Sequence, residues 1–312
     1  MFSTVEPEIQ RAIDQMEAYR KEALPKAIKT GMLYGFGFSA VIFVILLFTA
    51  KIDEAGAIAM VVLVISLLIG CGITISNYYT KQISQYKGVV MPMLVNAACE
   101  KAKFNQHGEI SYDVYRSSSL FSWYSSTYLR QEDYVQGIVD RTDFEFCEAT
   151  LGHVEVTRDK NGKEHRRDVT DFKGLVFTAD FNKSFNTHTI LCPNYRMTIM
   201  HRIKMESVDF NKQFHTYCED EQEARYILTP ALQERILNLQ HKLDSSLGIG
   251  CLMFSFYRNR LAIFAPTYKN HFEPPMFSRI KIETVKKDYD CIQAMVDIIE
   301  NLNLNTRIWT KQ

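Results

Sequence analysis

The chain has 312 residues, of which 36 are Lys or Arg and 36 are Asp or Glu, so its formal net charge is zero. A neutral chain is a poor nucleic-acid binder, because contacts with phosphates require a surplus of cations. An apolar content of 46% argues against a disordered chain, and seven cysteines without a CxxC pair argue against a compact disulfide framework.

Residues 1–30 are predicted to form an amphipathic cytoplasmic helix, because apolar side chains recur on one helical face. Pro25 is expected to bend or end this helix just before the next segment. Two interpretations stay open, in which the helix docks on the protein's own cytoplasmic domain or lies on the lipid surface. The apolar face consists of Ile9, Ala12, Ile13, Met16, Tyr19, Ala23 and Leu24.

Residues 31–76 are predicted to form a transmembrane hairpin of two helices. Residues 31–50 and 55–75 contain no charged side chain, and each run is long enough to cross a hydrocarbon core about 30 Å thick. The second run follows at once, which is not the pattern of a secretory signal. Cations precede the first run and follow the second, so both termini are expected in the cytoplasm.

Small residues recur every fourth position in both predicted spans. They are Gly31, Gly35 and Ser39 in the first span and Ser66, Gly70 and Thr74 in the second. Small residues allow helix backbones to approach closely, so these ridges predict packing of the two spans on each other. An oligomer interface is the alternative. Neither span carries an ionisable side chain, which disfavours a transporter or proton pump.

Residues 77–108 are predicted to form a helix that links the membrane to the rest of the chain, with a kink at Pro92. Residues 109–312 are predicted to form a cytoplasmic α+β domain with a mostly antiparallel sheet and packing helices. By order of elements alone this domain resembles a pleckstrin-homology-like sandwich. Predicted strands cover 112–115, 134–139, 143–147, 153–158, 173–179, 188–191, 206–210 and 214–217.

Local signals indicate the turns and helices of this domain. Asn161-Gly162 lies between two alternating runs and predicts a hairpin turn. Thr229-Pro230 predicts a helix with Thr as N-cap and Pro in the first turn. Residues 250–265 are predicted to form two strands that turn near Arg258-Asn259, and residues 284–303 a final helix.

The only internal sequence repeat is DFNKSF at 180–185, which recurs as DFNKQF at 209–214. One interpretation is structural: a strand end and turn in which the Phe pair packs inward. The other is a polar binding pocket. Its candidate residues are Asp180, Asn182 and Lys183 in the first copy, and Asp209, Asn211 and Lys212 in the second.

Metal and cofactor sites are not expected. His188, Cys192, His201, His215 and Cys218 lie within one stretch, but strand spacing keeps them from meeting at one point. The sequence lacks GxSxG, HExxH, a Walker loop and a GxGxxG fingerprint after a strand. We therefore expect no cofactor and assign no catalytic residue.

Several motifs together resemble one uncharacterised bacterial family, a domain of unknown function that follows two membrane spans and is often met near LemA-type proteins. They are Tyr115, Ser118, Leu120 and Phe121, EDYVQG at 132–137, FKGLVFTADFNKSF at 172–185, the second DFNKQF, EARYILTPALQERI at 223–236 and FEP at 272–274. The resemblance implies a multi-pass protein of the inner (cytoplasmic) membrane. It implies no activity.

The favoured function is that of a non-enzymatic interaction or scaffold protein, anchored in the membrane and presenting a cytoplasmic binding domain. Its expected partners are the lipid bilayer and a protein or further copies of the chain, and nucleic acid is not expected. A homo-oligomeric assembly or gated pore is the alternative, and an enzyme acting at the membrane face is a further one.

Overall fold

The structure is a computed structural model that describes residues 2–49, 52–160, 162–181, 186–193 and 200–304. Its contacts divide the chain into two compact units. We call residues 3–91 with 273–285 the helical unit, and residues 92–272 with the chain from 286 onwards and Phe2 the β unit. The segment 273–285 therefore belongs to a unit that is otherwise N-terminal.

Two long helices make up most of the helical unit. Helix α1 spans Phe2–Thr49 and helix α2 spans Ile52–Gln85. Both contain stretches long and apolar enough to cross a membrane. Pro25 was expected to bend or end the helix; α1 continues through it, so the expected end is wrong, and the bend stays a prediction. A proline removes one backbone hydrogen bond, and here the turns on both sides keep the helix continuous.

A π-helical turn at Tyr86–Val90 follows α2 and precedes helix α3, Met91–Ala98. A kink was predicted at Pro92, and the irregular turn of the structure lies just before this proline. In a regular α-helix the proline ring would meet the carbonyl four residues earlier, at Gly88. The wider turn lies around that position, and Pro92 itself lies in the first turn of α3.

Nine strands of the described β unit form one sheet, and every neighbouring pair is antiparallel. The order across the sheet is β1-β2-β3-β4-β9-β8-β5-β7-β6. The predicted α+β class is confirmed, and the pleckstrin-homology likeness remains one of element order. The strands are β1 Lys103–Asn105, β2 Thr127–Val139, β3 Thr142–Arg158, β4 Glu164–Asp180, β5 Thr189–Cys192, β6 His201–Ile203, β7 His215–Cys218, β8 Met253–Tyr257 and β9 Arg260–Pro266.

Six further helices accompany the sheet in the described residues. They are α4 Tyr112–Ser117, α5 Val208–Gln213, α6 Glu221–Ile227, α7 Pro230–Leu247, α8 Ile282–Val296 and α9 Ile298–Asn301. The predicted cap of α7 is confirmed, because the Thr229 side chain accepts a hydrogen bond from the N–H of Leu232. The predicted turn between β8 and β9 is also confirmed, with Arg258 and Asn259 both at positive φ.

Two predicted strands are wrong. Residues 112–115 lie in α4, whose N-cap Ser111 accepts a hydrogen bond from the N–H of Asp113. Within 206–210, helix α5 begins at Val208, because Ser207 caps it through the N–H of Phe210. In both places a serine cap starts a short helix within a stretch of strand-forming residues. The predicted strands 143–147 and 153–158 are parts of the single long strand β3.

One face of the sheet packs against the segment that contains α4. Cys147, Val176 and Phe264 lie side by side on β3, β4 and β9, and they share a buried cluster with Ile110 and Tyr115. Side chains of a strand alternate between faces, so Phe146 and Glu148 point to the opposite face.

Candidate functional site

The first DFNK copy lies at the end of β4. Asp180 is exposed and stands directly opposite Arg260 of β9. Asn182 and Lys183 lie outside the described residues. Asp180 lines a cleft of about 450 Å³ together with Asp143, Glu145 and Arg260. Burial raises the pKa of Glu145, and Asp143 adds to this effect while Arg260 opposes it.

The second copy has a different conformation. It forms α5, where Asp209 and Lys212 make an ion pair of 2.9 Å between exposed side chains. Asn211 is structural: its side chain accepts from the N–H of Met205 and donates to the carbonyl oxygens of Met205 and Ser207. The described part of the first copy is a strand end at Asp180, whereas the corresponding Asp209 lies in a helix, so the two copies differ in conformation where they begin.

The small residues of α1 and α2 lie against each other within the helical unit. A Cβ placed on Gly35 would lie 2.7 Å from the Cα of Leu67, and one on Gly31 would lie 2.6 Å from the Cα of Cys71. Ser66 donates a hydrogen bond of 2.9 Å to the carbonyl oxygen of Gly35.

The remaining three small residues have different surroundings. A Cβ on Gly70 would collide with the carbonyl oxygen of Gly31. Thr74 donates to the carbonyl oxygen of Gly70 in its own helix, and Ser39 donates to that of Phe36. The close approach of the two helices therefore involves Gly31, Gly35, Ser66 and Gly70, and also Thr74, whose hydroxyl would lie 2.5 Å from a Cβ on Gly31. Their role in a membrane stays a prediction.

A second polar cleft, of about 430 Å³, lies on β2, β3 and β4 and the chain after β9. We call it the β2–β4 cleft. Two rows of charged side chains cross its floor. Arg130 and Lys173 flank Thr150 in one row, and Glu132 stands directly opposite Glu148 in the next. These residues alternate with Gln131 and Ala149, so their side chains share one face of the sheet.

The chain after β9 forms one wall of the β2–β4 cleft. The N–H of Thr267 donates to the carbonyl oxygen of Lys173 at 3.0 Å. The N–H of His271 donates to the buried Glu148 carboxylate at 2.8 Å. Lys269 donates from Nζ to the carbonyl oxygen of Leu247, the last residue of α7, at 3.1 Å. The bonds from Thr267 and His271 therefore hold this wall on the sheet, and the bond from Lys269 joins it to α7.

Three further features fix the floor of the cleft. Gly174 cannot be replaced by a residue with a side chain, because a Cβ there would collide with the carbonyl oxygen of Ala265. On the opposite face of β2, the Gln131 side chain accepts from Tyr115 and from the N–H of Ile110. Arg130 lies over the ring of Tyr128, with 5.4 Å between the guanidinium carbon and the ring centroid.

Burial lowers the pKa of His271, and the Lys269 ammonium lowers it further. The imidazole therefore stays neutral at pH 7 and adds no positive charge. No group of three or more His, Cys, Asp or Glu within the described ranges is arranged to hold a metal ion. The lining of the cleft offers ammonium, guanidinium and carboxylate groups, together with the imidazole of His107 and the hydroxyls of Thr150 and Thr267.

Sequence reasoning missed the β2–β4 cleft because its charged residues are far apart in the chain. Arg130, Glu148, Lys173 and Lys269 come from four segments, and of these only Lys173 lies in one of the motifs above, FKGLVFTADFNKSF at 172–185. One signal was present: Glu148 interrupts an otherwise apolar stretch of β3. A buried carboxylate in such a stretch needs polar partners, which only the folded chain identifies.

Comparison with known proteins supplies a partial family assignment. The model of a family described as "Protein of unknown function (DUF3137)" matches residues 170–304, from within β4 to just beyond α9. This agrees with the expected resemblance to a domain of unknown function, while LemA-type neighbours and the family's two membrane spans stay predictions. No curated protein matches the chain significantly.

One solved structure is similar at a low level. It is the crystal structure of the mycobacterial trehalose monomycolate transport factor A, TtfA, with 8% sequence identity and a TM-score of 0.28. The match covers 69% of this chain and 97% of that chain. A likeness this low carries no argument about function.

Proposed function

We propose that this chain is an interaction or scaffold protein of a bacterial inner membrane. Helices α1 and α2 anchor it as a two-span hairpin with both termini in the cytoplasm. The β unit is the binding domain, and the β2–β4 cleft is its ligand site. The observation that carries the anchor is the apolar surface that both helices expose.

The exposed side chains of the two helices are those of a lipid-facing surface. Leu33 on α1 is 69% exposed, and Met60 and Leu68 on α2 are 70% and 69% exposed. Burying such side chains stabilises a protein by roughly 1.5 to 3 kcal/mol each, so water is a poor solvent for this face. A bilayer supplies the missing apolar surroundings.

The flanking charges support the proposed orientation. Lys26 and Lys29 precede the first apolar stretch, and Lys81 and Lys87 follow the second. Between the stretches stand one Lys and two acids, so the cations lie mainly on the side of the termini. Cytoplasmic loops carry the excess of Lys and Arg in membrane proteins.

The homo-oligomeric alternative uses the same small residues. Gly35 and Gly70 already contact the other helix of their own chain, which leaves less of the ridge for a neighbouring copy. This contact favours the hairpin anchor over a pore built on the ridges. Among the residues that the structure describes, no specific contact favours an enzyme at the membrane face.

Cysteine labelling in sealed membrane vesicles tests the anchor and its orientation. We expect Asp53→Cys to react with a membrane-impermeant maleimide in right-side-out vesicles. Lys160→Cys, on an exposed turn of the β unit, should react only in inside-out or detergent-opened vesicles. The unsubstituted chain serves as the control for its native cysteines. The opposite pattern contradicts the orientation, and release of the chain by alkaline carbonate contradicts the anchor.

Native mass spectrometry of the gently extracted chain separates the binding function from the assembly. A monomer or dimer that carries extra mass supports the binding protein, and that mass identifies the partner. A bare oligomer of fixed number supports the homo-oligomeric alternative.

A further inference from the structure

We propose that the β2–β4 cleft binds a small molecule that carries a phosphate group. The phosphate would lie among three cations of the lining, which are Arg130 on β2, Lys173 on β4 and Lys269 on the wall after β9. The inference rests on the proposed function, because it names the ligand class of the same cleft. A soluble phosphate ester and a lipid headgroup share this chemistry, and a pair of probes separates them.

The three cations keep their positive charge in the folded protein. Within the part of the chain that the structure describes, none of them forms an ion pair with a carboxylate. The guanidinium of Arg130 lies over the ring of Tyr128. Nζ of Lys269 donates to the carbonyl oxygen of Leu247, so this ammonium is also held in place without being neutralised. An anion among like-charged groups is attracted by all of them, so the cluster favours an anionic ligand.

The sheet register places two of the cations on either side of a hydroxyl. Thr150 of β3 stands directly opposite Arg130 on one side and Lys173 on the other. Cross-strand neighbours have Cβ atoms about 5 Å apart, so a group bound over Thr150 lies beside both cationic side chains. On the wall, the Thr267 hydroxyl accepts from the N–H of Lys269 at 3.2 Å. A hydroxyl that accepts a hydrogen bond can still donate its own hydrogen.

The number of donors favours a phosphate over a carboxylate. An Arg presents five N–H donors, a Lys three and a Thr hydroxyl one, and all these residue types line the cleft. A carboxylate offers two oxygens as acceptors, whereas a phosphate group offers at least three. The guanidinium fork can hold two of these oxygens while an ammonium binds another. The cleft volume of about 430 Å³ leaves room for the rest of a small molecule.

Two carboxylates also line the cleft and limit its affinity for an anion. Glu132 and Glu148 lie in the neighbouring row, two residues along β2 and β3, which corresponds to roughly 6.6 Å at about 3.3 Å per residue. Glu148 is 7% exposed and accepts from the N–H of His271, so little of its surface faces the cleft. Three cations against two acids leave the lining with a formal charge of +1, with histidine counted as neutral.

Titration calorimetry on the full chain in dodecyl maltoside tests this inference, because this detergent contains no phosphate. The probes are glycerol 3-phosphate, its uncharged parent glycerol, and succinate, which carries two carboxylates. We expect glycerol 3-phosphate to bind about tenfold more tightly than succinate, and glycerol to give no heat of binding. If succinate binds as tightly as glycerol 3-phosphate, the cleft is a general anion site and the inference is wrong. Absence of binding for glycerol 3-phosphate also overturns it.

Two substitutions with opposite expected effects place the phosphate in the cleft. Lys173→Gln removes a cation and should weaken the binding of glycerol 3-phosphate about tenfold. Glu132→Gln removes a negative charge from the lining and should tighten the binding. Both side chains are exposed, so the fold should persist. An unchanged affinity in both variants would mean that the phosphate binds elsewhere, which overturns the assignment.

A control variant separates the cleft from the overall charge of the protein. Lys163→Gln, on the turn between β3 and β4, changes the net charge as Lys173→Gln does but lies outside the lining. We expect it to leave the affinity for glycerol 3-phosphate unchanged. Equal weakening in the two lysine variants would show that general surface charge attracts the anion, and the inference would be wrong.

A phosphodiester distinguishes the two sources of phosphate. Glycerol 3-phosphate is a monoester, whereas glycerophosphoglycerol is the diester headgroup of an anionic phospholipid. Tighter binding of the diester supports a lipid headgroup as the ligand, and tighter binding of the monoester supports a soluble ester. If native mass spectrometry finds a bound protein while neither ester binds, the interaction function stands and the phosphate inference fails. The vesicle labelling tests the anchor independently of all these outcomes.

Discussion

At the scale of single residues, Gln131 connects β2 to the segment that covers the sheet. Its Oε1 accepts from Tyr115 at 2.7 Å, from the N–H of Ile110 at 3.0 Å and from the Cys147 thiol at 3.3 Å. Its Nε2 donates to the carbonyl oxygen of Ile110 at 3.0 Å. One side chain therefore satisfies the polar groups of three residues, all of which are buried.

We expect Gln131→Leu to destabilise the β unit by about 3 kcal/mol, because each buried polar group left without a partner costs roughly 1 to 3 kcal/mol. Burial raises the pKa of Cys147 to about 12, so this thiol reacts only when the unit opens. The substitution should therefore accelerate labelling of Cys147 by about 100-fold, as followed by peptide mass spectrometry. Gln136→Leu, an exposed position on the same strand, is the control, and equal rates in both variants would contradict this role.

His188 makes the stability of the β unit depend on pH. Its Nε2 lies 2.7 Å from Ser255 Oγ, and Ser255 donates to the carbonyl oxygen of Ser118, so the imidazole is the donor. Burial lowers the pKa of His188, although Glu219 and the Ser118 carbonyl oppose this effect. The neutral form is therefore the one that the fold favours.

The sign of the effect follows from this lowered pKa. The unfolded chain takes up a proton near pH 6.5 while folded His188 remains neutral, so stability falls as the pH drops through 6.5. We expect His188→Gln to reduce the slope between pH 7 and 5 by at most about 1.4 kcal/mol per pH unit, the value for one proton. Urea unfolding at several pH values measures it. An unchanged slope would show that His188 does not titrate on unfolding.

At the scale of elements, the contact between α1 and α2 depends on glycine at one position and not at a neighbouring one. Gly35 faces the Leu67 backbone, whereas a Cβ on Gly37 would meet nothing within 4 Å. We expect Gly35→Leu to destabilise the hairpin by about 2 to 3 kcal/mol through overpacking, and Gly37→Leu to have little effect. Thermal unfolding in detergent compares the two. If Gly35→Leu changed the stoichiometry and left the melting temperature unchanged, the ridge would serve an oligomer instead.

Elements were predictable where one local signal decides the conformation. Thr229-Pro230 and Arg258-Asn259 determine a cap and a turn within two residues, and the structure has both. At Ser207 the cap favours a helix, whereas the residues that follow favour a strand. The hydrogen bonds between Asn211 and Met205 stabilise the helix. The β2–β4 cleft was beyond prediction, because the sheet register alone brings Glu132 opposite Glu148.

At the scale of the whole molecule, the helical unit needs a segment from late in the chain. The N–H of Ile280 donates to Glu17 at 2.9 Å, Arg20 donates to the carbonyl oxygen of Phe277, and Tyr79 donates to that of Pro274. Burial by itself would raise the pKa of Glu17, but the bonds from Arg20 and Ile280 lower it below its ordinary value. The ionised carboxylate is therefore the form that holds the segment 273–285.

We expect Glu17→Ala to accelerate hydrogen exchange of the Ile280 amide at least tenfold, because the substitution removes its acceptor from α1. A hydrogen bond to a charged group contributes about 1.5 to 3 kcal/mol, which corresponds to this factor or more. Glu22→Ala is the matched control, since Glu22 lies on the same helix and pairs with Lys26 through side chains that are both 71% exposed. Equal exchange in both variants would mean that α1 does not hold the segment. A selective effect would show that α1 and residues 273–285 fold as one unit, although residues 92–272 of the β unit lie between them in the sequence.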